Sequence, residues 1–552
     1  MKSIHFDEEH DRFRRDVRRF LEEEVAPKVD GWEEARKIPR EAWKRLGALG
    51  YLGIAFPEEL GGQGADLFFA LAFLEELPRS RSGGYCAAVS VQEFIATGAI
   101  HRHGTEELKQ RFLVPSIRGE KVGAIAISEP DAGSDVASIR TAAVRDGSSW
   151  VVNGAKTWIT NGVHGDFYVV ACKTDRDAGA GGITLIAMDA GLPGIRTTKL
   201  RKMGWHASDT AEISFQDVRV PVSQTVGRVN RGFFYIMETF SLERLVTASI
   251  GIGSAELALE VTREYMAGRH AFGRPISKFQ ALRHRFADLA AELEAVRHLS
   301  YHTAWLISRG ETAVRESSMA KLLATELSKR VADECLQFFG GYGTVEEYPA
   351  ERNFRDARFS TIVAGTSEIM REIIARTDID GVVFGKVEED GIDDEPAPPE
   401  EAGKATEATE ATEATEATEA KEAAAAPAPP PAPAVIPPPD APIPVTLEGL
   451  FLSLPRRFRP EKAEGFSTRM HFSFPGASHP EWTVVVGEGR CDVAEGLYGA
   501  PDGVVTTAEE TYVGMETGKV NPQSAFLMGR VKASNVLLLT RFVKLFRAAF
   551  PR

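Results

Sequence analysis

From Phe6 to about Gly119, apolar residues recur at helical spacing, as at Phe13, Val17, Phe20 and Leu21. Gly-rich turns such as Pro57-Glu58-Glu59-Leu60-Gly61-Gly62 separate these runs. The spacing predicts an α-helical domain over residues 1–120. The period then changes. Trp150-Val151-Val152-Asn153-Gly154, Asp166-Phe167-Tyr168-Val169-Val170 and Ile183-Thr184-Leu185-Ile186 are short β-type runs between turn residues, and they predict a β domain over 121–235. From Phe233 long helical patterns return, notably Leu282 to Ile307 and Ser317 to Phe339, giving a second helical domain over 236–385.

Residues 386–445 break every such pattern. Five Ala-Thr-Glu repeats (405–419) precede an Ala/Pro tract that, with its flanks, holds thirteen prolines. A segment of this composition cannot bury enough apolar surface to offset the entropy of ordering, so a disordered linker is expected. Beyond it, residues 446–552 alternate again at Phe466 to Phe474 and Trp482 to Val486, and end in an apolar-rich helix candidate, Ala533 to Phe550.

Composition changes the picture in three places. A chain of 552 residues needs several cores. Its net charge of −14 is concentrated: the linker carries −12 of it, leaving about −2 for the foldable parts. No basic stripe suggests nucleic acid as a partner. Cys86, Cys172, Cys335 and Cys491 lie far apart in sequence, with neither a disulfide framework nor metal-ligand spacing. Together with an N-terminus that has no signal-peptide apolar run and no uninterrupted apolar segment of about 20 residues, this leads to the expectation of a cytoplasmic protein without an integral membrane segment.

Helical spacing places Ile236, Phe240, Glu243, Thr247, Ile250 and Ser254 near one face of a helix. A lone carboxylate among such neighbours is either desolvated, which raises its pKa toward the range of a general base, or paired with an arginine, or extended to water. The pattern leaves all three open. Ser128-Glu129-Pro130-Asp131-Ala132-Gly133-Ser134-Asp135 combines turn formers and hydroxyls, a backbone that can approach a ligand closely or simply form a turn. Lys156-Thr157-Trp158-Ile159-Thr160-Asn161-Gly162 sets an aromatic plane between hydroxyls. Arg269-His270-Ala271-Phe272-Gly273-Arg274-Pro275 clusters cations around a turn, as phosphate binding or a charged loop would. Gly251 and Gly253 sit in a helical pattern without the third glycine of a dinucleotide fingerprint. There is no Gly-x-Ser-x-Gly elbow and no HExxH.

In this order, these segments resemble the acyl-CoA dehydrogenase family over roughly residues 5–380. The resemblance implies a helical domain, a β-barrel domain and a four-helix-bundle domain, with FAD bound between the last two. It implies that Ile125, Ile127 and Ser128 line the flavin ring, with Ser134 near both cofactor and thioester, and that Trp158, Ile159 and Thr160 form a second flavin-contacting strand. Arg269, Phe272, Gln280, Gln337, Gly340 and Gly341 would contact the adenosine diphosphate part of a neighbouring subunit's FAD, implying a homodimer or homotetramer. Thr366 and Glu368 would complete the cofactor site.

The stretch Ile362-Val363-Ala364-Gly365-Thr366-Ser367-Glu368 has alanine where many family members carry their catalytic glutamate. Ser241-Leu242-Glu243-Arg244-Leu245 resembles the alternative base position of the isovaleryl-CoA and long-chain enzymes. The resemblance therefore implies α,β-desaturation of an acyl-CoA thioester, with Glu243 as base. The Ala364 backbone N–H and a flavin ribityl hydroxyl would bind the thioester oxygen, with Ser134, Arg244 and Gly365 at the substrate. Electron-transfer flavoprotein is the acceptor it implies.

The tail resembles a sterol carrier protein domain, an α/β fold, through Ala500-Pro501-Asp502-Gly503-Val504, Gly518-Lys519-Val520-Asn521-Pro522 and Phe526-Leu527-Met528-Gly529-Arg530-Val531-Lys532. A long, branched or sterol-like acyl chain is the expected substrate. The competing readings are a flavin oxidase or monooxygenase on the same scaffold, and a lipid-binding protein without catalysis.

Overall fold

Capping chemistry starts the first helix. In the computed structural model, which describes residues 4–382 and, with gaps, 443–550, the Asp7 carboxylate accepts the Glu9 and His10 N–H groups, and the His10 ring closes a capping box. Acidic residues Glu8, Glu9 and Asp11 then occupy the first turn of α1 (Glu8–Phe20), and Arg18 and Arg19 the last, as the helix dipole favours. The chain divides into two units near residue 387, and the segment expected to be a linker lies almost wholly outside the described residues.

The first unit begins with α1, α2 (Ala26–Ala35), α3 (Arg40–Ala48), α4 (Leu67–Glu76), α5 (Gly83–Ser90), α6 (Thr97–His103) and the short α7 (Glu106–Leu108) and α8 (Val114–Ile117). Val17, Leu21, Phe73 and Tyr85 are at the centre of their core. A π-helical turn, Val91–Ala96, joins α5 to α6.

The β domain follows as β1 (Gly123–Ala126), β2 (Ala142–Asp146), β3 (Ser149–Thr160), β4 (Phe167–Lys173), β5 (Ile183–Asp189), β6 (Ile195–Lys199), β7 (Thr210–Pro221) and β8 (Thr225–Val226). They form one sheet in the order β6-β7-β3-β2-β4-β5-β8, with β1 added parallel to β4. β4 is buried at every position, as a strand covered on both faces should be.

Three long helices then dominate: α9 (Gly232–Gly268), α10 (Gln280–Ser308) and α11 (Val314–Phe339), with α12 (Pro349–Ser360) and α13 (Ser367–Asp378) beside them. A small hairpin of β9 (His270–Ala271) and β10 (Arg274–Pro275) separates α9 from α10. By length and composition α9 could cross a membrane, yet most of its apolar stretch is buried inside the protein. Its neighbours are α11, α10 and α4. At Gly253 it lies so close to α4 that a β-carbon would sit 2.1 Å from the Glu75 carbonyl oxygen.

A buried charge network ties these helices together. Glu75 accepts from Arg14 (2.9 Å), Arg297 (3.1 Å) and the Tyr301 hydroxyl (3.0 Å). Glu76 accepts from Arg18 (2.9 Å) and Arg79 (2.7 Å), and Arg79 also reaches Glu260 (2.9 Å). Residues from α1, α4, α9 and α10 therefore share one set of opposite charges, so that none is buried alone.

The second unit comprises α14 (Leu447–Leu452), α15 (Leu454–Arg457), β11 (Thr468–Ser473), β12 (Glu481–Gly487), β13 (Arg490–Glu495), β14 (Gly503–Thr507), α16 (Glu509–Glu516) and β15 (Val531–Ala533). Its sheet runs β13-β12-β11-β14-β15, with β11 and β14 parallel. Phe451 stacks on Trp482 at 5.0 Å and on Tyr512 at 5.1 Å over that sheet. Ala533, expected to open a helix, instead closes β15, because Val505 pairs with it across an antiparallel ladder. Most of 521–530 and 534–541, including much of the expected terminal helix, lies outside the described residues.

Candidate active site

One stripe of α9 faces a cavity of about 870 Å³ in the first unit. Phe240, Glu243, Thr247, Ile250 and Ser254 line it, at the three- and four-residue intervals of a single helix face. Ile236, on the same face by spacing, is buried in the apolar core instead.

Glu243 is half-buried at the cavity wall, and its carboxylate makes no hydrogen bond or ion pair with the described residues. Burial pushes its pKa from 4.5 up to about 7, against the lowering influence of Arg244 and Lys321. The arginine pairing that the sequence left open is not made. Arg244 is buried next to it, with its guanidinium 5.5 Å from the centre of the Phe240 ring and its Nε without a partner. Burial lowers the Arg244 pKa to about 10, partly offset by Glu243, so the guanidinium stays charged at neutral pH.

The β wall is held by one buried ion pair. Lys156 is fully buried, and its Nζ donates to Glu129 at 2.8 Å and to the Ile127 carbonyl at 2.9 Å. Glu129 also accepts the N–H groups of Arg140 and Thr141. Burial lowers the Lys156 pKa despite this pairing. The Thr157 N–H donates to the Ser128 carbonyl at 2.9 Å, which joins the segment after β1 to β3. A bulge between Lys156 and Ile159 shifts β3 out of register with β7, leaving Trp158 with φ of 62° and its side chain 66% exposed. Ile125, Ile127, Ser128, Ser134, Trp158, Ile159 and Thr160 thus all line the same cavity as Glu243 and Arg244.

The loop before α13 lines the cavity as well. Ala364 and Gly365 have φ of 54° and 86°, and both line the cavity with Thr366. Thr366 caps α13 through Ile369 N–H, and Ser367 Oγ donates to Glu326 at 2.6 Å. Lys321 Nζ donates to the Gly365 carbonyl at 2.6 Å. Glu368 is exposed in the first turn of α13 and does not line the cavity; its own helix N-terminus and the Thr366 hydroxyl lower its pKa.

Arg269, Phe272, Gln280, Gln337, Gly340 and Gly341 lie apart from the cavity, at one end of the bundle. There the C-terminal ends of α9 and α11 meet the start of α10. Arg269 lies over the Tyr342 ring at 5.2 Å, and Phe272, at the hairpin tip, is 95% exposed.

Sequence reasoning missed Lys321 and Asp356. Lys321 is a cation in the otherwise apolar run Met319-Ala320-Lys321-Leu322-Leu323, a mismatch visible in the sequence. Asp356 lines the cavity from α12 and accepts the backbone N–H groups of Gly83 (2.9 Å) and Trp205 (2.6 Å). Nothing local marks it, because its partners are 273 and 151 residues away.

Glu243, the exposed Trp158 indole, the Ser128 and Thr160 hydroxyls and the Ala364–Gly365 backbone line one cavity between the β domain and the helical bundle, an arrangement that suits a flavoprotein acting on an acyl substrate. Family comparison agrees. The model "Acyl-CoA dehydrogenase, N-terminal domain" matches residues 7–120, the middle-domain model 124–218 and the C-terminal-domain model 230–378. The chain is 40% identical over 374 residues to the long-chain specific mitochondrial acyl-CoA dehydrogenase of Rattus norvegicus, covering 67% of this chain and 86% of that one. It is 38% identical over 368 residues to the short-chain specific enzyme of Clostridium acetobutylicum, covering 66% and 97%. The crystal structure of an acyl-CoA dehydrogenase from Geobacillus kaustophilus superposes with a TM-score of 0.66 at 42% identity, covering 68% of this chain and 99% of that one.

The chain belongs to the acyl-CoA dehydrogenase family, and it is an oxidoreductase acting on acyl-CoA. Residues 455–547 match the SCP-2 sterol transfer family. Members of the dehydrogenase family are FAD-dependent, and the residues present suit that group. The exposed indole of Trp158, the Ser128 and Thr160 hydroxyls and the half-buried Ile125 and Ile127 offer a flat, polar-edged surface.

Proposed function

We propose that this enzyme desaturates the α,β bond of a long, branched or sterol-like acyl-CoA thioester with Glu243 as its base. The unpaired, desolvated carboxylate of Glu243, facing the same cavity as the Ala364 loop, is the observation that carries this reading. A pKa near 7 suits a group that must be ionised to accept a proton yet basic enough to take one from carbon. Bound FAD supplies the two-electron acceptor for the hydride leaving Cβ. The Ala364 N–H has no acceptor among the described residues and is free to bind the thioester oxygen as negative charge develops there. Because that donor belongs to the main chain, an alanine side chain at this position does not remove it. Arg244, charged and short of partners among the described residues, sets a positive potential at the substrate end of the cleft.

Electron-transfer flavoprotein is the proposed acceptor. The exposed Phe272 and Arg269, at the bundle end, support a homo-oligomer in which they meet a neighbouring subunit's cofactor. The SCP-2 unit is proposed to raise the local concentration of poorly soluble substrate by tethering.

The test is anaerobic. A suitable acyl-CoA should bleach the flavin of the wild-type protein, and Glu243→Gln should retain flavin and ligand yet stop bleaching. Turnover of that variant at the wild-type rate would refute the base assignment. Rapid peroxide formation in air without another acceptor would favour an oxidase.

A further inference from the structure

Lys321 is among the largest side chains fully withdrawn from solvent, and its ammonium meets no carboxylate at ion-pair distance among the described residues. Among the described residues its one hydrogen bond goes to the Gly365 carbonyl, at 2.6 Å. Burying a full charge against a single carbonyl is unfavourable unless something else requires the charge there. Two things next to it do.

The first is the loop. Ala364 and Gly365 both have left-handed φ, which costs an alanine roughly 1–2 kcal/mol. A β-carbon on Gly365 would come within 2.6 Å of the Met370 methyl, so the turn is closely packed on that side. On the other side the Lys321 bond fixes the peptide that follows Gly365. The second is Glu243 on α9, the helix packed against α11; it lines the same cavity as Ala364 and Gly365. It has no hydrogen-bond partner among the described residues, so its charge balance depends on cations nearby.

We propose that Lys321 is a positioning residue for the dehydrogenation: its ammonium holds the Ala364–Gly365 turn in its strained form and places a buried positive charge on α11, the helix packed against the one that carries Glu243. This rests on the reading of Glu243 as base and of the Ala364 N–H as oxyanion donor.

The charges around both groups support it. Burial lowers the Lys321 pKa to about 8, with Glu326, Glu243 and Glu368 raising it and Arg244 lowering it. Glu243 is raised by burial and lowered by Arg244 and by Lys321. Glu326 is engaged elsewhere, with Ser367 at 2.6 Å and with Arg371 and Lys329 at 3.8 and 3.9 Å. Glu368 faces solvent from α13. Lys321 and Arg244 are thus the two cations that act on Glu243.

Two variants of the full-length holoenzyme separate the roles. Lys321→Gln keeps a donor for the Gly365 carbonyl and loses the charge; Lys321→Met loses both. In the pH dependence of kcat/KM, the acid limb should move to higher pH in each. The plateau kcat should stay near wild type in Lys321→Gln and fall by about tenfold or more in Lys321→Met, with KM little changed, as expected when an oxyanion donor loses its alignment. Wild-type acid limbs and plateaus in variants that retain flavin would overturn the proposal. If Lys321→Met does not retain flavin, Lys321→Gln decides alone: an unmoved acid limb overturns it. Glu243→Gln is measured beside them. If that variant still turns over, the base reading has failed independently, and a plateau lost in Lys321→Met but kept in Lys321→Gln still supports the loop role, whereas equal plateaus overturn it.

Discussion

Asp356 accepts the Trp205 backbone N–H at 2.6 Å, joining α12 to the β domain at the edge of the catalytic cavity. Its second oxygen accepts Gly83 N–H, so one carboxyl connects three segments of the first unit. Burial, with the Glu33 carboxylate adding to it, raises its pKa from 3.8 to about 7. The unfolded chain therefore ionises this acid before the folded chain does. Stability from this group is complete below about pH 4 and is lost as pH rises toward 7, by at most about 1.4 kcal/mol per pH unit. Asp356→Asn should be less stable than wild type at pH 5, because one N–H then faces an amide nitrogen. The gap should narrow by pH 8. Thermal melts at both pH values check this.

Glu243 follows the same sign. Its pKa rises from 4.5 to about 7 on folding, so its ionisation opposes the folded state in neutral and alkaline solution. Glu243→Gln should match the wild-type apoprotein near pH 4 and exceed it at pH 8, by on the order of 2–3 kcal/mol. The same substitution should abolish flavin bleaching. A gain in stability with a loss of activity is the expected signature of a desolvated catalytic acid.

Gly253→Ala would place a methyl 2.1 Å from the Glu75 carbonyl oxygen, where backbone must move. A loss of about 3 kcal/mol or more is expected in denaturant melts. Gly268→Ala, at the end of the same helix, meets nothing within 4 Å and should be neutral or slightly stabilising, by up to about 1 kcal/mol. Equal effects of the two would contradict the close α4–α9 approach.

Removing residues 386–552 should raise the apparent KM for long or sterol-like acyl-CoA several-fold and leave short substrates unchanged. Steady-state kinetics across a chain-length series reads this directly. Equal kinetics with and without the tail would dismiss substrate delivery.

The stripe on α9 was legible in the sequence because helical period alone decides which side chains share a face; Phe240, Glu243, Thr247, Ile250 and Ser254 meet one cavity accordingly. The β runs at 166–170 and 183–186 were likewise legible, and they pair with each other as β4 and β5. What period cannot show is which distant residues meet. Whether Glu243 would pair with an arginine was undecided, since that depends on where Arg244 turns. Lys321 and Asp356 escaped notice for the same reason: their partners are 44 and 151 residues away. Ala533 reads as the start of a helix in the sequence because one residue at the edge of an apolar run does not distinguish the two periods, and the ladder with β14 makes it strand instead.

The acids at 75 and 76 have a practical consequence for anyone shortening the N-terminus. Arg14 and Arg18 belong to the opening helix, yet the carboxylates they neutralise lie deep among α4, α9 and α10. Clipping that helix would take both guanidinium groups from the buried acids and leave Glu75 to Arg297 and Glu76 to Arg79, so the loss would be felt deep inside the catalytic unit, far from the cut, rather than as a frayed end.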